Sequence, residues 1–122
     1  MSKVFTDVQV FMSAAGHTIT ENNLNQAQLY KDLIKEEVSE FWDAEAVSDD
    51  VEEIDACFDM IWVIIGYMLS RGWDCNKIWD EGALSNLRKI DKETRKVLKR
   101  EDGKILKPEG WQPPEFTKFV RK

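Results

Sequence analysis

The sequence predicts an all-α fold, a helical bundle completed by oligomerisation and ending in an extended tail over residues 102–122. Three observations carry that expectation. From Val4 to Ile90 apolar residues recur mainly at three- and four-residue spacing, the period of helices that bury one face. Gly16, Ser48-Asp49-Asp50 and Arg71-Gly72 interrupt the period where helices should stop and start. Beyond Glu101 the period vanishes, and Asp102-Gly103, Pro108, Gly110, Pro113 and Pro114 supply turn chemistry instead.

Taken in order, the first helix should run from Ser2 to Ala15, packing through Val4, Val8, Phe11, Met12 and Ala15, with Ser2 as N-cap and Gly16 as its stop. His17, the only histidine, falls in the polar loop beyond and is expected to be solvated. A second helix is expected from about Asn25 to Ala46 and a third from about Val51 to Ser70. Asp49 with Glu52, or Asp50 with Glu53, has capping-box spacing. Beyond Met60 the third helix is apolar nearly all round, so it should be buried on most faces. One small bundle cannot surround it, hence the expected dimer or tetramer, with Gly66 leaving room for another helix. Asp74 can cap a shorter helix carrying Ile78 and Trp79, and the charged stretch to Arg100 should be helical over part of its length.

A chain of 122 residues with 43% hydrophobic and 11% aromatic content suits one folded domain, residues 1–122, with one core. The apolar run from Met60 to Leu69 is too short to span a bilayer. The N-terminus lacks the basic start and apolar centre of a signal peptide. Cys57 and Cys75 fit neither a disulfide framework nor a zinc spacing. The expected setting is the reducing cytoplasm, with no membrane partner.

Two helices carry carboxylates where apolar residues belong. With Leu33 at zero on a helical wheel, Tyr30, Ile34, Val38, Phe41 and Ala44 define one face, and Glu37 falls within it near about 40° with Glu40 at its edge. On the third helix Asp55, Asp59 and Glu52 share a stripe with Trp62 and Gly66. Inward-facing carboxylates repel one another and lose hydration, so they persist when something positive sits among them. An all-oxygen set without His or thiolate suits a hard divalent cation, Mg²⁺ with Mn²⁺ as a substitute.

Charge is also uneven. Residues 1–84 hold 5 Lys or Arg against 17 Asp or Glu, whereas residues 85–122 hold 12 against 6. The acidic body would repel a long polyanion, so nucleic acid is not the expected partner. A small polyphosphate carrying its own cation suits both halves.

The motif Glu37-x-x-Glu40, followed by Asp55-Ala-Cys-Phe-Asp59 and the apolar run to Gly66, resembles the all-α nucleoside triphosphate pyrophosphohydrolases. That superfamily includes MazG, the dimeric dUTPases and phosphoribosyl-ATP pyrophosphohydrolase. Its pattern is Glu-x-x-Glu, then Glu-x-x-Asp, and the four acids bind Mg²⁺. Here Ala56 stands where the second Glu belongs, and Asp55, one turn before Asp59, takes its place, with Glu52 as the other candidate. Ser85-Asn86-Leu-Arg-Lys89 and Gly103-Lys104-Ile-Leu-Lys107 match two further elements of the family.

The resemblance implies Mg²⁺-dependent hydrolysis of a nucleoside triphosphate to monophosphate and pyrophosphate. Glu37, Glu40, Asp55 and Asp59 would hold metal, Glu36 and Glu37 would serve the attacking water, and Asn86, Lys89, Lys104 and Lys107 would meet the substrate. Trp42, Trp62 and Trp111 could stack on a base, although the first two have core spacing. Ala56 favours the rival reading, a non-catalytic nucleotide or metal sensor or an assembly module. A di-iron bundle would need Glu-x-x-His pairs and is set aside.

Overall fold

The computed structural model describes residues 3–120; Ser2, the expected N-cap, lies outside them. Four α-helices follow in order: α1 (Lys3–Ala14), α2 (Leu24–Ala46), α3 (Asp50–Ser70) and α4 (Cys75–Leu87), with a short 3-10 turn at Thr117–Phe119. The fold is all-α, as expected. None of the described helices is long and apolar enough to cross a membrane. The chain divides into two compact units, Met1–Asn76 and Lys77–Lys122.

The first unit holds the core. Phe5, Val8 and Met12 of α1 meet Tyr30 of α2 and Val63, Ile65 and Leu69 of α3, with Cys75 closing the cluster. Val8, Met12 and Leu69 are almost wholly removed from water, worth about 1.5–3 kcal/mol each. Gly66 has a specific purpose: a Cβ there would overlap the Tyr30 ring. The helix it admits is therefore α2 of the same chain.

Three helix ends close in the same way. Gly16, Ser48 and Gly72 adopt φ of +81°, +55° and +74°. At each, the amide of the left-handed residue and the next amide donate back to the last turn: Gly16 and His17 to Ser13 and Met12, Ser48 and Asp49 to Glu45 and Ala44, Gly72 and Trp73 to Leu69 and Met68. These paired bonds satisfy the orphan carbonyls of a helix C-terminus. The next helices are capped in turn, Asn23 Oδ1 accepting from Gln26 N and Asp49 Oδ1 from Glu52 N. The second contact is half of the expected capping box.

The polar loop after α1 is fastened from inside. Buried Gln26 accepts from Thr18 N and donates to Thr18 O and to Ser70 Oγ, and Asn23 N donates to Ser70 O. His17 is not solvated as expected; its ring is partly buried and Nδ1 lies 3.1 Å from the Tyr30 hydroxyl. Trp42 also departs from its core spacing, being 59% exposed. Beyond Met60, α3 leaves Ile61 and Ile64 open within one chain, in line with the expectation that a single small bundle cannot surround it.

The second unit is built differently. Of its described residues only Ser85 is buried. The charged stretch after Ile90 is not helical: the Asp91 carboxylate accepts from Glu93 N and Thr94 N, and Ile90 bridges to Val97. An Asp that captures nearby amides competes with helix propagation, and this stretch offers no apolar face to oppose it. A second reversal follows, with Gly103 at φ +91° and Lys99 bridged to Ile105. Residues 108–118 then lie along α4. Trp111 Nε1 donates to Ser85 O, Phe116 faces Gly82, and Glu81 accepts from Glu115 N and Lys118 Nζ.

Candidate active site

The tight turn at residues 47–49 folds α2 back on α3 and sets which faces meet. Glu37 and Asp59 are consequently partly buried, whereas Glu36, Glu40, Asp55 and Glu52 are exposed. The cluster is electrostatically strained. Loss of hydration, then the charges of Glu40 and Asp59, a hydrogen bond to Glu40 and the charge of Glu36 push the Glu37 carboxyl up to about 7. Asp59 is raised as well, first by desolvation and then by the Asp55 charge.

The Asp59 charge on α3 therefore reaches Glu37 on α2. Asp55 acts on Asp59, while Glu52 is not among the charges that shift either Glu37 or Asp59. Its backbone amide is taken by the Asp49 cap. Ala56, the departure from the family pattern, is buried at 3% exposure. Among the described residues, no three acidic, His or Cys side chains close into a cage for a metal ion. The donor set nevertheless fits a hard cation. It consists of carboxylate oxygens, Glu37 and Asp59 being raised by lost hydration and neighbouring acids. Among the described residues none of Glu37, Glu40, Asp55 and Asp59 has a cation within ion-pair distance, a setting that a divalent ion would relieve.

The basic residues fall into two groups. Lys89 Nζ donates to Asn86 Oδ1 at 3.1 Å and stands 4.9 Å from the centre of the Trp111 ring. Lys107 Nζ stands 5.2 Å from that same ring. Lys104 is held through its backbone instead. Its amide donates to Asp102 Oδ1 and its carbonyl accepts from Arg100 N, so it belongs to the reversal around Gly103. Sequence reasoning offered Trp111 only as a base-stacking ring and missed its cationic neighbours. A tryptophan four residues after a lysine, within a Pro-flanked tail, was the available signal.

The all-α fold and the two acidic helices are the setting of the candidate site, and the class of protein comes from the family that the chain matches. Residues 9–86, more than half of the chain, match the family model for phosphoribosyl-ATP pyrophosphohydrolase, and the chain belongs to that family. It is thus a pyrophosphohydrolase, a hydrolase acting on phosphoric anhydrides. No curated protein matches the chain. The matched region includes both acidic helices and Asn86 but ends before Lys89, Lys104 and Lys107.

Proposed function

We propose that the enzyme cleaves a nucleoside triphosphate between the α and β phosphates, releasing monophosphate and pyrophosphate, and that it needs Mg²⁺, with Mn²⁺ as a substitute. The supporting observation is that Glu37 and Asp59 are both raised, each first by lost hydration, Glu37 then by the charges of Glu40, Asp59 and Glu36 and Asp59 then by that of Asp55. Glu37, Glu40, Asp55 and Asp59 would hold the metal. When bound, such an ion screens phosphate oxygens and acidifies water.

The chain's own residues do the rest. Glu36 and Glu37 orient the attacking water, and a carboxylate oxygen of Glu36 accepts its proton. Asn86, Lys89, Lys104 and Lys107 neutralise the phosphate chain, so that attack at phosphorus needs mainly positioning and charge stabilisation. Both compact units act as one functional domain, in the cytoplasm, on free nucleotides and not on nucleic acid.

A second copy of the chain covers the open face of α3, giving a dimer or tetramer. Val51, Ile54, Phe58 and Ile61 are each more than half exposed, and contiguous apolar surface of that kind marks an interface. Sedimentation of the wild type beside Ile61→Glu tests this, with a shift to the monomer expected.

The activity is tested by assaying pyrophosphate from ribo- and deoxynucleoside triphosphates and from phosphoribosyl-ATP, the compound in the family's name. Stoichiometric monophosphate and pyrophosphate, abolished by chelation and restored by Mg²⁺, is the expected result. Orthophosphate as the first product, or turnover indifferent to chelation, would overturn the reading.

A further inference from the structure

We propose that Trp111 is a positioning residue whose indole holds Lys89 and Lys107 together as one clamp for a polyphosphate chain. The inference rests on the pyrophosphohydrolase reading and goes beyond it, because it explains why two lysines 18 positions apart act together.

Trp111 is fixed at its polar edge and along its backbone. Nε1 donates to Ser85 O at 2.8 Å, Trp111 N donates to Pro108 O at 3.0 Å, and Ser85 Oγ reaches Gln112 O at 3.4 Å. Ser85 is 1% exposed, so the anchor is the most protected point of the second unit. With the indole so pinned, its ring becomes a fixed platform. The Lys89 and Lys107 ammonium groups stand 4.9 and 5.2 Å from its centre, within the range at which the negative face of an indole attracts a cation.

The charges around this platform are unbalanced. Among the described residues neither lysine has a carboxylate within ion-pair distance. Two ammonium groups near one ring repel each other, and the indole offsets that repulsion only in part. The adjoining hollow, about 710 Å³, shares Trp111 and adds Lys92 and Arg88 against Glu109, with Arg88 also acting on Glu81. The partner that would balance these charges is a multiply charged anion spanning both ammonium groups. A polyphosphate has that form, and lysines held in place before it arrives lose less freedom on binding.

A double-mutant comparison in the full-length protein separates positioning from plain structural support. The probe is inorganic tripolyphosphate, titrated calorimetrically and followed by triphosphate hydrolysis for KM and kcat. Lys89→Ala should weaken tripolyphosphate binding about tenfold in the wild type but only about twofold beside Trp111→Leu, since coupled residues are non-additive. Trp111→Leu alone should raise both Kd and KM. Trp111→Phe, which keeps a ring but loses the Nε1 anchor, should recover part of the loss. A structural role would instead lower kcat with the folded fraction and leave KM unchanged. If Trp111→Leu does not fold, the same cycle is run with Trp111→Phe. Equal costs for Lys89→Ala in both backgrounds, or no tripolyphosphate binding by the wild type, would overturn the clamp. A wild type that binds tripolyphosphate with this coupling yet releases no pyrophosphate from any nucleotide would sink the substrate reading and leave the clamp standing.

Discussion

The two compact units reach order by opposite means. The first contains all the buried apolar side chains among the described residues, and the second buries only Ser85. Charge divides along the same line: residues 1–76 carry 4 Lys or Arg and 15 Asp or Glu, residues 77–122 carry 13 and 8. The acids themselves differ in state. Glu37 and Asp59 are raised, chiefly by desolvation. In the second unit Glu81, Asp91, Asp102 and Glu115 are lowered, Glu81 and Asp91 chiefly by backbone amides, Asp102 by Arg100 and Glu115 by Thr117. A hydrophobic core can hold carboxylates in an unfavourable setting, ready for a cation. In the unit without such a core these four acids are held by hydrogen bonds, with cations beside Glu81 and Asp102.

The largest expected effect tests the functional side of that contrast. Glu37→Gln and Asp59→Asn should each lower turnover by at least about a hundredfold. The melting temperature of the metal-free protein should stay level or rise, because like-charge repulsion is relieved. Asp55→Asn should behave similarly and Glu52→Gln should keep near-normal activity; exchanged effects would transfer the ligand role to Glu52. The structural side is tested by Leu69→Ala against Leu98→Ala. The first removes a side chain that is 2% exposed and should cost about 2–5 kcal/mol in denaturant unfolding. The second, 57% exposed, should cost less than about 0.5 kcal/mol. Equal losses would mean that the second unit hides a core of its own.

The pH dependence sharpens the comparison further. A carboxyl raised from 4.5 to about 7 takes up protons in the folded state before the unfolded one does. Its contribution is full below pH 4.5 and is lost as pH rises through 7. The metal-free protein should therefore melt higher at pH 5 than at pH 8, and Glu37→Gln should flatten that slope. The lowered acids of the second unit have the opposite sign: what they contribute is present above their ordinary range and disappears as pH falls through their depressed values. Hydrogen exchange should accordingly show protection falling at acid pH for amides such as Glu93 and Thr94, which bond to Asp91. Parallel pH profiles in the two units would break the contrast.

The sequence foretold the first unit better than the second for the same physical reason. Helical period and capping residues are repeated signals, and α1 to α3 lie within a residue or two of expectation, whereas of the acids expected to face inward Glu37 and Asp59 are partly buried and Glu40, Asp55 and Glu52 are exposed. Single contacts decided the remainder. The Asp91 carboxylate turns the chain where charge alone suggested helix, and the Tyr30 ring beside Gly66 gives to α2 a space expected for another helix. His17 was misjudged because its partner, the Tyr30 hydroxyl, is 13 residues away and no periodicity reveals it. For the site, spacing placed Glu37, Glu40, Asp55 and Asp59 on two facing helices. The gathering of Lys89 and Lys107 on Trp111 depends on the course of a tail with no period to read.

The smallest expected effect concerns two residues that hold the left-handed conformation without being glycine, one in each unit. Ser48 has φ +55° at the end of α2, and Arg95 has φ +62° in the turn governed by Asp91. A Cβ makes that conformation unfavourable, so Ser48→Gly should stabilise the protein by about 0.5–1 kcal/mol. The turn it relaxes joins the two helices that carry the acids, and local relief there passes into the cooperative unfolding of the core. Arg95→Gly relieves the same strain in a turn whose described neighbours bury nothing, so its gain should appear as slower exchange of the Arg95 amide, which donates to Asp91 O, and hardly in the melting temperature. Gly16→Ala supplies the control, since a Cβ at that position meets nothing within 4 Å and any cost is conformational alone. It should lose about what Ser48→Gly gains. If Arg95→Gly raises the melting temperature as much as Ser48→Gly, the two units unfold as one, and coupling between them outweighs the difference in how each is held.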